Sequence, residues 1–222
     1  MLSHAYSGGE WNDGGISYYN AIAHSPTEDA IFVGGGLQSS SMTGVDDLEV
    51  PVITKIGTDT NTQIWSRVYI DNRKTYAFSI KSIAVTDTSS DYKLVVIDMA
   101  HHEYCNGYTD SHFFEHNWFE IWSIWGSDGR MASSVKAFTS DCFSISLQNM
   151  YAFPDSDKAF VVLRRSDRSA DAKLYEYTVS TEAMQYHTVS LAGKDNMRLD
   201  TMTGRDNFLF LAGWLNGSTF YI

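Results

Sequence analysis

A chain of 222 residues is long enough to bury its own core, and its 43% apolar and 19% charged content excludes a disordered polymer. The formal net charge of −11 argues against nucleic acid or anionic lipid as a partner, because phosphate binders concentrate Lys and Arg. We expect no transmembrane segment, since no apolar run approaches the roughly 18 residues needed to span a bilayer. The N-terminal residues show no secretory signal, so the chain is either intracellular or a piece of something longer.

A turn followed by a short apolar strand recurs four times along the chain. Small or acidic residues form each turn, and Val, Ile, Leu and Phe dominate each strand. The four segments are 25–34, 87–97, 154–163 and 204–211, and each is preceded by another predicted strand, at 16–23, 78–85, 143–151 and 197–202. Apolar runs bounded by turn residues are typical of strands buried on both faces.

The first three repeats continue into a more polar hairpin. The predicted strand pairs are 52–56 with 64–70, 118–125 with 131–138, and 174–179 with 185–191. Turn formers (Gly, Asp, Asn and Ser) lie between the two strands of each pair, and no helical periodicity occurs. The sequence therefore predicts an all-β protein of repeated four-stranded antiparallel units, which are typical of the blades of a β-propeller.

We expect a single partial propeller over 1–222, with about three and a half blades at 16–70, 78–138, 143–191 and 197–222. The fourth blade is incomplete. Propellers close with about 4–8 blades, and an open arc exposes strand edges. Either the N-terminal segment supplies the missing outer strand, or the chain is part of a larger ring. The count of blades favours the larger ring.

The first repeat resembles a known family of propeller repeats. It reads NAIA at 20–23, AIFVGGG at 30–36, TKI at 54–56 and IWSR at 64–67. These segments are similar to SBBP (seven-bladed beta-propeller) repeats and to PQQ-type propeller repeats. Later repeats keep the skeleton, as in FEIW at 119–122 and LYEY at 174–177. The resemblance implies a large secreted or cell-surface protein that binds or scaffolds without catalysing a reaction.

Two long inserts, 37–50 and 100–117, are expected on one face of the propeller, where loops carry function on a rigid frame. The second insert is rich in His and aromatic residues. We expect the binding-face loops to include His101, His102, Tyr104, Tyr108 and Trp118. A carbohydrate-binding or glycan-active propeller that uses these aromatic residues is the first alternative function.

The same insert contains a short metal-binding pattern. His112, Glu115 and His116 match H-x-x-E-H, which in zinc enzymes places two imidazoles on one helical face. A metal-dependent hydrolase is therefore the second alternative function. The pattern is short and adjoins a predicted strand, so we assign no catalytic residue, no metal site and no cofactor.

Two further candidates concern covalent modification. Cys105 lies in the second insert and Cys142 begins the next inner strand, so both are predicted on the same face of neighbouring blades. Two alternatives stay open for this pair: a disulfide in an oxidising compartment, or two separate thiols. Asn216 begins the only N-x-S/T acceptor for glycosylation, in a predicted loop between strands.

The sequence thus favours a non-enzymatic, acidic structural or protein-binding module of an extracellular or cell-surface assembly. Its expected partners are other proteins or further copies of itself, with glycans as an alternative. Blade repeats without a set of catalytic groups carry this interpretation.

Overall fold

The computed structural model describes sixteen strands, and the described residues contain no helix. It describes residues 2–5, 17–25, 27–38, 49–70, 77–86, 92–104, 115–137, 145–153, 156–165, 172–189, 197–215 and 218–221. The strands are β1 Leu2–Ala5, β2 Ser17–Ser25, β3 Ala30–Gln38, β4 Glu49–Gly57, β5 Gln63–Ile70, β6 Ala77–Thr86, β7 Lys93–Tyr104, β8 Glu115–Trp125, β9 Met131–Ala137, β10 Ile145–Ala152, β11 Lys158–Arg165, β12 Ala172–Thr178, β13 Ala183–Val189, β14 Met197–Arg205, β15 Phe208–Leu215 and β16 Ser218–Tyr221. The predicted all-β class is confirmed. A helix suited to crossing a bilayer is not found in these ranges.

The strands form four antiparallel sheets, and strands consecutive in the chain pair with each other. The first sheet has the order β1-β5-β4-β3-β2, the second β6-β7-β8-β9, the third β10-β11-β12-β13 and the fourth β14-β15-β16. Asp206 and Asn207, both with positive φ, form the two-residue turn between β14 and β15. This is the turn geometry that matches the twist of a hairpin.

The N-terminal strand bears on the two alternatives that the sequence left open for the fourth sheet. β1 pairs with β5, with Leu2 opposite Ile70 and Ala5 opposite Arg67. It therefore satisfies the outer edge of the first sheet, whose backbone groups would otherwise be unpaired. Residues 2–5 therefore do not supply the missing outer strand of the fourth sheet, which is the alternative that the sequence disfavoured. Within the described residues the first sheet has five strands and the fourth has three.

The sheets pack against one another in chain order, and each junction has its own apolar cluster. The first and second sheets meet through Phe32, Ile53, Tyr69, Ile80, Ile83, Leu94 and Trp122. The second and third sheets meet through Ala84, Val95, Ile121, Met150, Val161 and Tyr177. The third and fourth sheets meet through Val162, Leu174, Leu199, Met202 and Leu211. None of the clusters formed by described residues joins the first sheet to the fourth.

Each sheet has one edge strand that we call its innermost strand: β2, β6, β10 and β14. The innermost strands of successive sheets are neighbours. β2 contacts β6, β6 contacts β10, and β10 contacts β14. A fourth apolar cluster, made of Leu37, Val50, Val52 and Val68, belongs to the first sheet alone. The described residues therefore form four sheets that pack in chain order with their innermost strands adjacent. This part of the chain does not include a closed ring.

Candidate functional site

The hairpin β7–β8 contains most of the residues that the sequence suggested for a binding face. His101, His102 and Tyr104 lie in β7, and Trp118 lies in β8 opposite Ala100. These four residues therefore lie in strands. The sequence predicted a loop for His101, His102 and Tyr104, and it predicted that Trp118 begins a strand although it was grouped with the binding-face loops. The first three lie in a strand because antiparallel pairing continues past Ala100, with a shift in register, to the end of β7.

The other predicted site residues are brought together only in part. Glu115 and His116 begin β8, so they lie in a strand and not on the helix that the H-x-x-E-H chemistry uses. Tyr108, Cys105, His112, Cys142 and Asn216 lie outside the described residues. The metal, disulfide and glycosylation hypotheses stay predictions. In the described ranges, no three His, Cys, Asp or Glu side chains are grouped to hold a metal ion.

Each innermost strand carries one β-bulge, and the four bulges provide a common reference for comparing the sheets. The residues at which the strand register shifts are Asn20, Lys81, Gln148 and Asp200. The local sequences are YNAI, IKSI, LQNM and LDTM, so a polar residue follows an apolar one and another apolar residue comes two positions later. Sequence reasoning missed this pattern, although it is visible once the four inner strands are aligned.

Side chains next to the bulges link neighbouring innermost strands. The Asn20 amide donates a hydrogen bond to the Ile80 carbonyl at 3.4 Å. One position after the third bulge, the Asn149 amide donates to the Met202 carbonyl at 3.3 Å and to the Thr201 hydroxyl at 2.7 Å. Bulges commonly re-aim side chains in this way. Here they provide polar links between successive sheets.

The residue two positions after each bulge occupies an equivalent place, and in the second, third and fourth sheets it faces the preceding sheet. These residues are Ile22, Ile83, Met150 and Met202. Ile83, Met150 and Met202 are only 6%, 7% and 5% exposed, because each packs into the cluster shared with the sheet before it. Ile22 in the first sheet is 68% exposed. The position that is buried in three sheets is therefore open to solvent in the first.

The third residue of the second strand is likewise equivalent in each sheet, and in the first three sheets it faces the following sheet. These residues are Phe32, Val95, Phe160 and Phe210. Phe32 and Val95 are fully buried, and Phe160 packs against the cluster of the third and fourth sheets. Phe210 in the fourth sheet is 50% exposed. The first and fourth sheets thus expose opposite faces that the intervening sheets bury.

Both open faces expose apolar side chains beside polar ones such as His24 and Arg205, and we name them for the sheets that carry them. The first-sheet face consists of Tyr19, Ile22, Ile31, Val33 and Ile56, which the strand register brings to one side of the sheet. The fourth-sheet face consists of Phe208 and Phe210, opposite Arg205 and Thr203 respectively. Tyr19 and Phe208 are also well exposed. Exposed apolar groups of this kind mark interaction surfaces when they cluster.

Buried polar groups hold the first two sheets together. The Lys55 ammonium forms an ion pair with the Glu28 carboxylate and donates to the Gly126 carbonyl at 3.3 Å. The Trp65 indole donates to the same carbonyl at 3.2 Å, and the Tyr92 hydroxyl donates to Glu28 at 2.9 Å. Because Lys55 is almost fully buried, these partners keep its charge satisfied away from water.

The turn between β8 and β9 also receives donors from β5. The Tyr69 hydroxyl donates to the Gly129 carbonyl at 2.8 Å, and the Arg67 guanidinium donates to the Asp128 carbonyl at 2.9 Å. Burial raises the pKa of the Tyr69 phenol well above its ordinary value, so it remains a neutral donor. Gly129 has a φ of 72°, and a side chain there would meet Arg67.

Two buried carboxylates are bound by donors of their own sheets. Glu120 accepts hydrogen bonds from the Trp122 indole at 3.0 Å and from the Ser134 hydroxyl at 3.2 Å. Glu176 accepts from His187 at 2.8 Å and forms an ion pair with Lys158. Burial opposes the charge of Glu176, but hydrogen bonds led by that of Lys158 outweigh it and lower the pKa of this carboxyl. Both carboxylates thus have structural partners.

Comparison with known proteins does not assign the chain to a family. No protein-family model matches it, and no curated protein is similar enough to be counted as a relative. The resemblance to propeller repeats stays a prediction.

Proposed function

We propose that this chain is a non-enzymatic structural module, a β-propeller in which the four sheets are blades, and that it binds protein through its first-sheet and fourth-sheet faces. The observation that carries the proposal is the contrast in exposure between Ile22 or Phe210 and the equivalent residues of the other sheets. An extracellular or cell-surface location stays a prediction from the resemblance.

The packing of the sheets supports the blade interpretation. Innermost strands lie side by side in chain order, their bulges occur at matching positions, and each sheet packs on the next through one continuous face. Propeller blades have this arrangement around their central axis. A closed ring would require surfaces that cover the two open faces.

The chemistry of the two faces supports protein as the partner. Isoleucine, valine and aromatic side chains offer apolar area and few charges, which suits another packed protein surface better than a phosphate or a free sugar. The buried charged groups Lys55 and Glu176 are bound within the molecule. The proposal therefore assigns binding to the apolar faces.

Site-specific photo-crosslinking tests this function. A photoreactive phenylalanine analogue would replace Ile22, Phe210 or, as a control, the exposed Tyr186 on β13, in cells that produce the chain. We expect protein adducts of discrete mass from positions 22 and 210 and none from 186. The adduct from 210 should disappear when the neighbouring Phe208→Asp change is added. Absence of adducts from both faces would contradict the proposal.

A further inference from the structure

The three junctions inside the molecule define which surfaces pack against each other. Phe32 shares a cluster with Ile83, and Val95 shares one with Met150. Phe160 packs on the cluster that contains Met202. In every junction the third residue of a second strand belongs to, or packs on, the same cluster as the residue two positions after a bulge. The same rule pairs Phe210 with a residue equivalent to Ile22.

We propose that a second copy of this chain covers both open faces, with the fourth-sheet face of each copy against the first-sheet face of the other. The inference deepens the proposed function and rests on it, because it names the partner of those faces. The contact between copies would repeat the packing seen at the three junctions inside the molecule. Among the described residues, the surface that matches Phe210 by this rule and remains exposed is the first-sheet face around Ile22.

Two copies would bring together eight sheets, within the range of about 4–8 blades at which propellers close. The contact is head-to-tail, so each copy uses two different surfaces and both junctions are identical. Such a contact gives a closed ring when the rotation per copy fits, and otherwise an open chain of copies. With a net charge of −11 on each copy, repulsion opposes association, so we expect stronger pairing at physiological salt than at low salt.

Light scattering on the purified chain after size-exclusion chromatography gives the first test. We expect a mass twice that of the 24.9 kDa chain at micromolar concentration. Phe210→Asp and Ile22→Asp should each weaken self-association by roughly tenfold or more, because a charge is placed in an apolar junction. The matched control Tyr186→Asp changes an exposed aromatic residue of the third sheet and should leave the mass unchanged.

Mixing the two variants gives the decisive test of the head-to-tail geometry. The Phe210→Asp copy keeps an intact first-sheet face, and the Ile22→Asp copy keeps an intact fourth-sheet face. One normal junction can therefore form between them, and we expect a one-to-one complex from two variants that are monomeric alone. Pairing of like faces would instead leave one of the two variants dimeric by itself and would contradict the proposal.

Circular dichroism checks that each variant keeps its β-structure, and Phe208→Asp provides a second variant on the fourth-sheet face. A monomeric wild-type chain, or a dimer that survives all three substitutions, would overturn the inference. The photo-crosslinks then separate the two proposals. Adducts from positions 22 and 210 to a different protein would refute the second copy while leaving the binding function in place. A lack of adducts in a monomeric chain would refute both.

Discussion

Lys55 in the first sheet and Glu176 in the third occupy equivalent positions in their sheets. Lys55 binds the next sheet, whereas Glu176 binds partners in its own sheet. Lys55 stands opposite Phe32, and Glu176 stands opposite Phe160, the equivalent residue. Lys55 reaches across to the Gly126 carbonyl of the second sheet. Glu176 is paired with Lys158 and His187, which belong to its own sheet.

The difference shows that the junctions are built unequally. At the first junction, donors from β4 and β5 (Lys55, Trp65, Arg67 and Tyr69) bind carbonyls in the outer turn 126–129 of the second sheet. At the third junction, Asn149 and Tyr151 donate from the innermost strand, to the carbonyls of Met202 and Gly204. We infer that hydrogen bonds join the first two sheets mainly at their outer hairpins. Hydrogen bonds join the third and fourth sheets mainly along their innermost strands.

The largest effect is expected from a methyl group placed in the first junction. In Gly126→Ala the new Cβ would lie 1.9 Å from the ring of Tyr92, which is buried and hydrogen bonded to Glu28. Because the ring is buried and its hydroxyl is hydrogen bonded, it cannot move aside freely, and we expect a loss of about 3 kcal/mol in the free energy of unfolding. Urea denaturation followed by circular dichroism measures it.

Gly57→Ala is the matched control, since this glycine lies at the β4–β5 turn of the first sheet as Gly126 lies at the β8–β9 turn of the second. Its new Cβ would approach the hydroxyl of Thr60 at 2.8 Å, and Thr60 is an exposed turn residue that can rotate away. We expect a loss of less than about 1 kcal/mol. Equal losses in the two alanine variants would contradict a tightly packed junction at Gly126.

Smaller losses of stability are expected from removing a polar contact at the first junction and at the third. Lys55→Ala removes a buried side chain, its ion pair with Glu28 and its hydrogen bond to Gly126, so we expect a loss of about 2 kcal/mol. Tyr151→Phe removes the 2.8 Å hydrogen bond to the Gly204 carbonyl and should cost about 1 kcal/mol. Urea unfolding of both variants measures the two losses of free energy and shows which is larger.

Lys55→Met is the control for this comparison, because it keeps most of the side-chain volume and removes the charge. It should lie between the wild type and Lys55→Ala if packing and polar contacts both contribute. A Tyr151→Phe variant that loses more stability than Lys55→Ala would reverse the proposed order of the junctions.

Local patterns in the sequence predict the strands well and the junctions poorly. Apolar runs bounded by turn residues identify strands such as β3, β7 and β11, because burial on both faces demands continuous apolar sequence. The strand content of 101–104 was missed, since polar His residues there do not follow the apolar pattern. The exposure of Ile22 and Phe210 was also unpredictable, because a residue type does not reveal whether a neighbouring sheet covers it.

The smallest effect concerns the carboxylate of Glu176, which is bound within its own sheet and should respond to acid. Its pKa in the folded chain lies below the ordinary 4.5, so its stabilising contribution is present above pH 4.5 and is lost as the pH falls through the folded pKa. An unfolded carboxyl of pKa 4.5 is about three-quarters protonated at pH 4, which limits this loss to at most about 0.8 kcal/mol there. Glu176→Gln cannot titrate, so its unfolding free energy should fall less than that of the wild type between pH 7 and pH 4. A variant that declines as steeply as the wild type would show that the bonds from Lys158 and His187 do not stabilise the charged form.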